Sequence, residues 1–514
     1  MKKLLFLILF ICSNLFASTY YISPTGNDTS GNGSTGTPWL TFTKAFSVMV
    51  GGDTLILKDG TYTGGASDYL ISQTHYPPFG TSGAYTIVKA EHDGGATIDG
   101  NGTYNYFSIS NNPPQRNLYW QFEGIVYKGF DVSLYGSSYV KFLRCGDLDA
   151  GSGNVANFTA GGGTASYILF ENCYAYGSGR YKFLIFNSTA CVIRDCVARM
   201  DSVNDVSDPM GVYSMYGAQN VEIQNCIAID SDQDASYTTD GELIGTFGNP
   251  TSGSAIYPTI STFTSCIAIN CHVAGGTVGT GNEVTYKDCI WYGITTMGLS
   301  GNVFNFRGST VTMNHCLIGN VSGYQNSVVS YYDDIQGSVF NSILYNCSAA
   351  GAALYSRIGS ALTNNYDCYY SNILKLDGAS QGANDTTTVS PIYSVVNSSG
   401  GIKYPIRVET GSSLSGIGLG GADIGPNCTK LIGVPGTLYG DSGYNTVQTT
   451  DMWNPFPNED LIRTQMKAYN SGGVSGNRGF CADGTTLTKY IWEYLGNAMP
   501  GSTGTGYSNF LLRK

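Results

Sequence analysis

The sequence predicts an all-β solenoid, in which short strands wind into stacked coils between an N-terminal capping helix and a small C-terminal cap containing short helices. Three observations lead to this prediction. A short motif recurs at intervals of 23 to 40 residues. Apolar and polar residues alternate before each copy, and charged residues make up only 12% of the chain. A period of this length with variable insertions is typical of solenoids.

The recurring motif consists of an apolar residue, two mostly polar residues, a cysteine and an apolar pair. It occurs around Cys145, Cys173, Cys196, Cys226, Cys266, Cys289, Cys316 and Cys368. Ser342 holds the cysteine position in a further copy, VFNSIL, and FEGIVY near Glu123 is an earlier, degenerate copy. Because the cysteines recur at one position of a local pattern, we expect a column of small, buried, reduced residues rather than disulfides.

Each repeat reads as β structure. Val221 and Ile223 precede the motif around Cys226 with the period of two that is typical of a strand. A second short strand comes before it across a turn rich in Gly, Asn and Ser, as in the run Phe183–Phe186 followed by NSTA. The Asn or Asp that usually stands before the cysteine favours a tight bend. One coil therefore consists of three short strands.

The composition excludes several classes of protein. Hydrophobic residues make up 42% of the 514 residues, which is too many for a disordered chain. The low charged fraction argues against coiled coils. The net charge of −11 argues against nucleic acid as a partner, because phosphate binding needs a basic face. After residue 18, no apolar stretch reaches the length of about 18 residues that a membrane span requires.

The first residues have the pattern of a bacterial signal peptide. Lys2 and Lys3 precede an apolar run from Leu4 to Ile11, and Ala17 and Ser18 supply small residues for cleavage. We therefore expect residues 1–18 to be removed and the mature protein to be secreted, extracellular or periplasmic. Export makes disulfides possible, and Cys428 and Cys481 lie outside the repeat. Whether these two pair is left open by the sequence.

The chain resembles the right-handed parallel β-helix proteins of the pectate-lyase-like superfamily. The resemblance is carried by the cysteine repeat and by the opening TYYISPTGND with PWLTFTKAFSVMVGGDTLILKDGTY, which is similar to that of secreted β-helix polysaccharide lyases. It covers roughly residues 19–428 and implies a single-stranded right-handed parallel β-helix. Residues 19–53 would form the N-terminal cap, with a helix over 40–50, and 54–428 the β-helix. Residues 429–514 would form the C-terminal cap or a small module, with helices over 458–469 and 485–497.

Charged residues concentrate in the loops that follow four successive copies of the motif. These loops contain Arg180 and Lys182; Arg199, Asp201, Asp205 and Asp208; Asp230, Asp232, Asp234, Asp240 and Glu242; and His272. Adjacent parallel strands lie about 4.8 Å apart, so three coils can gather such groups within about 15 Å. The density indicates a functional site, although long surface loops are often simply polar.

The alternation of Asp230, Asp232 and Asp234 presents oxygen ligands of the kind that calcium prefers. Ala235 replaces the glycine that a calcium loop has at its turn, so the match is partial. A solvated acidic turn explains the same pattern.

The resemblance implies activity on extracellular polysaccharide, and a lyase-like enzyme is the leading hypothesis. Lys182 or Arg199 would be the base, Arg180 would hold the substrate carboxylate, and calcium would sit on the aspartates named above. Asp208, His272 and Tyr216 are candidates for binding substrate. Tyr216 belongs to a set of aromatic residues in nearly one register, with Phe186, Phe306 and Tyr332, that forms either an outer stacking stripe or an internal stack.

Two alternatives stay open. An inverting glycoside hydrolase needs two separated carboxyl groups, which Asp201 or Asp208 could supply together with Asp230. A non-catalytic glycan-binding or surface structural protein needs no reactive groups at all. In each case we expect a monomer whose partner is a polysaccharide or glycan.

Overall fold

The computed structural model describes residues 17–63, 75–101, 107–109, 117–151, 155–163, 165–201, 211–231, 245–249, 258–271, 275–295, 304–322, 327–332, 336–347, 352–356, 361–372, 374–388, 390–392, 400–451, 456–471, 474–482 and 485–500. Within them the chain is mostly β, with three short helices. No helix of these residues is long and apolar enough to span a membrane.

The strands are, in chain order, β1 (Thr19–Ile22), β2 (Thr54–Leu57), β3 (Gly60–Tyr62), β4 (Thr86–Ala90), β5 (Ala96–Asp99), β6 (Ser108–Ile109), β7 (Asn117–Glu123), β8 (Ile125–Lys128), β9 (Val132–Tyr135), β10 (Ser138–Leu143), β11 (Gly146–Leu148), β12 (Ala156–Gly161), β13 (Ser166–Glu171), β14 (Tyr174–Tyr176), β15 (Tyr181–Phe186), β16 (Val192–Arg194), β17 (Val197–Ala198), β18 (Gly211–Tyr216), β19 (Val221–Gln224), β20 (Ile227–Ile229), β21 (Gly245–Asn249), β22 (Ile260–Thr264), β23 (Ile267–Ile269), β24 (Gly275–Lys287), β25 (Ile290–Thr295), β26 (Phe304–Asn314), β27 (Leu317–Ser322), β28 (Ser327–Tyr332), β29 (Gln336–Phe340), β30 (Ile343–Cys347), β31 (Ala352–Ser356), β32 (Ala361–Asn365), β33 (Cys368–Tyr370), β34 (Leu374–Asp377), β35 (Lys430–Ile432), β36 (Val447–Asp451), β37 (Asn470–Ser471) and β38 (Val474–Ser475). The helices are α1 (Phe42–Val48), α2 (Glu459–Lys467) and α3 (Leu487–Glu493).

Three parallel ladders run along the solenoid. Ladder 1 joins β6, β9, β12, β15, β18, β21, β24, β26, β28, β31 and β34. Ladder 2 joins β1, β2, β4, β7, β10, β13, β16, β19, β22, β24, β26, β29 and β32, so that the long strands β24 and β26 belong to both. Ladder 3 joins β3, β5, β8, β11, β14, β17, β20, β23, β25, β27, β30 and β33. The predicted fold class is confirmed: the chain is a parallel β-helix.

The bend between ladders 2 and 3 has the same backbone conformation in successive coils. It places one residue in the left-handed region, with φ between 51° and 60°, at Arg144, Asn172, Asp195, Asn225, Ser265, Asp288, His315, Asn341 and Tyr366. Asn and Asp tolerate this region better than most residues with a side chain. The preference for Asn or Asp before the cysteine therefore follows from the backbone of the bend.

The cysteines form a column inside this bend. Seven thiols, from Cys145 to Cys316, are buried, and each Sγ lies 3.4 to 3.6 Å from a carbonyl oxygen of the preceding coil. Ser342 continues the column and donates its hydroxyl to the carbonyl of Phe340 at 2.8 Å. Cys368 is a buried free thiol as predicted, but it does not belong to the column, because its copy is shifted by one residue and pairs with Ile343. The buried Asp367 stands in the column instead and accepts a bond from Ser342 N at 2.8 Å.

Each of the thirteen described cysteines is a free thiol. Cys428 lies against the carbonyl of Asp288 at 2.7 Å, whereas Cys481 contacts the guanidinium of Arg199 at 3.2 Å. Cys428 and Cys481, whose pairing the sequence left open, are therefore not joined by a disulfide; each is buried at a separate place.

Aromatic rings fill the interior beside the cysteines. Phe158, Phe183, Tyr213 and Phe247 stack in successive coils of ladder 1 with centroids 5.2 to 5.3 Å apart. Phe122, Phe142 and Phe170 stack in the same way in ladder 2, at 5.0 and 5.4 Å. Because the coils are in register, one inward position repeats from coil to coil, and in these stretches an aromatic ring fills it.

The first coil is closed by α1, as predicted, although the helix is shorter than the expected range 40–50. The hydroxyl of Thr41 caps it by accepting from Lys44 N at 3.1 Å, and Asp28 accepts the Thr41 hydroxyl at 2.7 Å. Phe42 and Ala45 on its inner face are fully buried in the core. The helix thus covers apolar surface that the end of a solenoid would otherwise expose.

The described residues between 418 and 499, here called the C-terminal segment, lie along the side of the solenoid. The bend residues Asn341, Asp288 and Asn225 accept bonds from the backbone of the segment, at Leu419 (2.7 Å), Asn427 (3.0 Å) and Ile432 (2.7 Å) respectively. The chain therefore runs back toward the N-terminal coils. The two helices predicted here are present as α2 and α3, and both pack against this side of the coils.

The bend predicts a specific order of stability among variants of Asn225. Its side chain bonds Lys430 O at 3.0 Å and Ile432 N at 2.7 Å, and its φ is 52°. Asn225→Gly loses both bonds but keeps the left-handed backbone without strain. Asn225→Ala loses the bonds and adds a conformational cost of about 1 kcal/mol. We expect melting temperatures to fall in the order wild type, Asn225→Gly, Asn225→Ala, and equal values for the two variants would contradict this account.

Candidate functional site

The charged loops of adjacent coils meet at one side of the solenoid, where ladder 3 leads into ladder 1. Lys182 at the start of β15 lies beside Asn157 of β12, and Asp201 accepts the backbone N–H of Gly177 at 2.9 Å. Arg199 forms an ion pair with Asp201 at 2.8 Å. The structure therefore brings together Lys182, Arg199 and Asp201.

The amine of Lys182 is fully buried. It donates to the carbonyls of Gly177 and Ser178, each at 2.7 Å, and lies 3.1 Å from Asn157 Oδ1. Burial lowers the pKa of Lys182 to about 8. A polymer could reach this amine only if the turn over it moved. The assignment of Lys182 as a lyase base stays a prediction, and its enclosure favours another role.

Arg199 and Asp201 lie beneath the C-terminal segment. Arg199 donates to Met466 O at 2.8 Å and to Gly476 O at 3.1 Å, so its guanidinium binds the carbonyls that follow α2. Arg478 completes the ion pair from the other side, 2.8 Å from Asp201. These charges bind one part of the chain to another. The C-terminal segment covers both buried side chains, and their roles in catalysis stay predictions.

Asp230, one coil further on, also binds the C-terminal segment to the coils. Its Oδ1 accepts from Asn270 Nδ2 and from the Tyr490 hydroxyl, both at 2.8 Å, and its Oδ2 accepts from Phe480 N at 3.0 Å. Both oxygens thus bind protein donors, which does not fit a calcium ligand. Asp232 and Asp234 lie outside the described residues, as do Asp208 and His272. Calcium at this loop stays a prediction.

Arg180 and Tyr216 lie at the edge of the same region. The Arg180 guanidinium is 5.1 Å above the ring of Tyr181, and the Tyr216 ring is 5.2 Å from that of Phe186 on the outer side of ladder 1. Tyr216 is half-buried, whereas Phe306 from the same predicted aromatic set is buried in the core. The set is therefore divided between the outside and the inside of the solenoid.

The clearest exposed aromatic feature was not predicted. Four tyrosines occupy the same register position, just before ladder 2, in four successive coils. We call them the tyrosine column: Tyr85, Tyr119, Tyr139 and Tyr167. Ring centroids lie 4.7 Å apart between Tyr119 and Tyr139 and 4.8 Å apart between Tyr139 and Tyr167, and these rings are nearly parallel. Tyr85 meets Tyr119 edge-on at 5.6 Å. All four are half-buried on the outside of the solenoid.

Charged and aromatic groups flank the tyrosine column. The Lys141 amine lies 4.5 Å from the ring centre of Tyr85, and burial lowers the pKa of Lys141. Tyr439 and Tyr444 of the C-terminal segment pack against the same cluster. The carboxylate of Asp441 is close enough to raise the pKa of Tyr85, although burial of that tyrosine is the larger cause. The combination of an aromatic surface with a few polar groups is typical of ligand sites.

A sequence signal for the column exists. Tyr139 and Tyr167 each stand six residues before a motif cysteine, and Tyr119 stands six residues before Ile125, which holds the cysteine position of the degenerate copy. The repeat motif begins three residues before its cysteine, so the tyrosine position, six residues before it, lies outside the motif.

Among the described residues, one group has the geometry of a metal site: Asp59, Glu91 and His92. All three are exposed, and Lys58 lies 4.0 Å from Glu91. Neutralisation by Lys58 and the contact of His92 with Asp59 at 2.9 Å account for this cluster without an ion.

Known proteins resemble this chain only distantly. No family model matches the chain, and neither does any curated protein. Similar solved structures include XylC in complex with xylose, with a TM-score of 0.48 and 10% identity over 73% of this chain and 86% of that one. Pectate lyase Pel9A gives 0.43 and 17% identity over 79% and 95%, and a rhamnogalacturonan lyase gives 0.40 and 13% over 72% and 88%.

The covered ion pair leads to a test of how the C-terminal segment is held. Arg199→Met leaves Asp201 buried with one partner fewer and frees two carbonyls of the segment. We expect it to lower the free energy of unfolding by about 3 kcal/mol, and to expose residues 466–482 to protease. Arg144→Met is the matched control, because Arg144 pairs with Asp93 and Glu123 at a partly exposed position and should cost about 1 kcal/mol or less. Similar losses in both variants would contradict the role of Arg199.

Proposed function

We propose that this protein is exported and binds extracellular polysaccharide along the tyrosine column. The observation that carries the proposal is the column itself, four half-buried tyrosines in register on the outside of consecutive coils. Their ring edges and hydroxyl groups repeat about every 4.8 Å, the spacing of the coils. A repeating surface of this kind suits a repeating ligand, since each coil offers the same contact to the next unit of a chain.

The chemistry of tyrosine supports a sugar as that unit. Tyr139 is stacked on both faces, by Tyr119 and by Tyr167, so a sugar would meet the ring edges of the column and its hydroxyl groups, which can bond the sugar's own hydroxyl groups. Ordering a tyrosine side chain also costs little entropy, which favours it on binding surfaces. The acidic net charge disfavours nucleic acid, the other common ligand of aromatic rows. The signal-like N-terminus is consistent with a ligand outside the cell.

Lyase activity at the same surface is the second candidate, and Lys141 favours it. Burial lowers the pKa of this amine, which makes the neutral, basic form more available near neutral pH. In its protonated form the same amine would hold the carboxylate of an acidic sugar. Base catalysis by Lys141 would place β-elimination on the tyrosine column rather than at Lys182.

Binding is tested by removing one ring from the middle of the column. Tyr139→Asn deletes the ring and introduces a residue that tolerates the positive φ of this position, which Asn220 occupies three coils further on. Affinity for a retained polysaccharide, measured by affinity electrophoresis over a glycan panel, should fall about tenfold. The matched control is Tyr345→Asn, which removes a half-buried tyrosine of ladder 3 that stacks on Tyr370. A panel without any bound glycan would refute the proposal, as would equal effects of the two variants.

Catalysis is tested on the same panel by following the absorbance of unsaturated products. If the protein is a lyase at this site, Lys141→Met should lower product formation about a hundredfold or more. Polysaccharide binding should fall much less, because the tyrosines remain. Full product formation by Lys141→Met, with loss in Lys182→Met, would return the catalytic assignment to Lys182. Bound glycan without any product would leave binding as the function.

A further inference from the structure

Three side chains from neighbouring strands form a buried line at the turn after β14. Lys182 Nζ lies 3.1 Å from Asn157 Oδ1, and Asn157 Nδ2 lies 2.9 Å from Asp147 Oδ1. Lys182, Asn157 and Asp147 are each fully buried. Asn157 and Lys182 belong to adjacent coils, so a contact between them joins β12 to β15. The line consists of an amine, a carboxamide and a carboxyl group, in that order.

Both ends of the line are in an environment that favours their neutral forms. Burial raises the pKa of Asp147 well above its usual range and lowers the pKa of Lys182 to about 8. Asp147 Oδ2 is buried and has no hydrogen-bond partner within the described part of the chain, so no donor there stabilises a negative charge on it. At mildly alkaline pH the line therefore contains a lysine amine that is neutral in a substantial fraction of molecules, and a carboxyl group whose burial favours its protonated form.

The remaining charges around Lys182 are already engaged. Asp149 accepts the backbone N–H of Ser178 at 2.7 Å, and Asp201 pairs with Arg199 and Arg478. Both carboxylates favour the charged amine, but its burial has the larger effect on the pKa. Neither of the two forms a direct ion pair with the amine in the described contacts.

The backbone orients the amine. The Lys182 amine donates to the carbonyls of Gly177 and Ser178, each 2.7 Å away, and to Asn157 Oδ1 at 3.1 Å. Once the amine loses a proton, its two remaining N–H groups bind the two nearer carbonyls, and its lone pair lies on the side of the Asn157 carboxamide. Gly179, with φ of +111°, closes the turn: a Cβ there would lie 3.5 Å from Asn157 Oδ1 and 3.8 Å from Lys182 Nζ. The turn holds the reactants in contact and excludes water.

We propose that Lys182 and Asn157 join in an intramolecular isopeptide bond, with Asp147 as the catalytic acid. This is a modification within the chain, independent of any glycan, and it makes a covalent link between two coils.

The atoms balance without any further reagent. The Lys182 lone pair attacks Asn157 Cγ to form a tetrahedral adduct, and the bond between Cγ and Nδ2 then breaks. Asp147, hydrogen-bonded to the leaving nitrogen, gives it a proton, and the proton that Nζ releases returns to Asp147. One amide is exchanged for another, no group is oxidised or reduced, and one molecule of ammonia leaves.

The bond is detected by mass spectrometry of the purified mature chain. The intact mass should be lower by one ammonia than the mass calculated from its sequence and its observed N-terminus. Trypsin should cleave at Arg180 but not at Lys182, and peptide 145–180 should remain linked to peptide 181–194 through Asn157 and Lys182. Tandem spectra of the linked pair locate the bond.

Variants separate chemistry from packing. Lys182→Arg and Asp147→Asn should retain the full mass of their sequences while keeping the circular dichroism of a β protein. Lys141→Arg, an equally conservative change outside the line, should still lose one ammonia. The proposal fails if the folded wild-type chain, after incubation at mildly alkaline pH, yields the unmodified peptide ending at Lys182. It also fails if ammonia is lost without a link, because that would indicate a succinimide at Asn157.

Discussion

The left-handed residue at the bend between ladders 2 and 3 is the constraint on which this structure depends. Without it, a coil would not turn inward at the same height as the coil before, and the ladders would lose register. A positive φ selects Asn, Asp and a few other residues over most of the alphabet. The next position then faces the interior, and from Cys145 to Asp367 a thiol, a hydroxyl or a small carboxyl group fills it. The motif therefore reflects the backbone conformation of the bend.

The same constraint determines where the C-terminal segment lies. A residue that bends the chain through the left-handed region leaves its side chain at the outer corner of the coil. Because these side chains are amides and carboxylates, they offer a row of hydrogen-bonding groups along the solenoid. Asn341, Asp288 and Asn225 use them to bind the backbone of the segment. One requirement of the coil therefore provides the docking line for another part of the chain.

The fold was largely predictable because its determinants are local. A repeat within about thirty residues shows the coil, and its alternation shows the strands. The candidate site was less predictable, since charge density indicates where loops converge but not what covers them. Arg199 and Arg478 are far apart in the sequence, and nothing near Arg199 indicates that a distant arginine shares Asp201. The tyrosine column was not predicted, because a single half-buried tyrosine in one coil is ordinary. Only the register between coils shows that these tyrosines stack on one another.

The copy at Cys368 illustrates a different limit. Pattern matching aligned its cysteine with the others, whereas the strand pairing places Asp367 in the column. A shift of one residue exchanges inward for outward side chains, and the short motif contains too little information to exclude it.

A simple solenoid behaves as a one-dimensional array, in which each coil interacts only with its neighbours and the ends can fray independently. The C-terminal segment changes this behaviour, because it contacts coils that are separated by much of the chain, from Asn341 to Asp93. Opening a coil in the middle must then disturb contacts at both ends, which makes unfolding more cooperative. These contacts also raise the contact order, and they can form only after the coils exist to receive them. Docking of the segment is therefore expected to be the last and slowest step of folding, completed only after the whole chain has been synthesised.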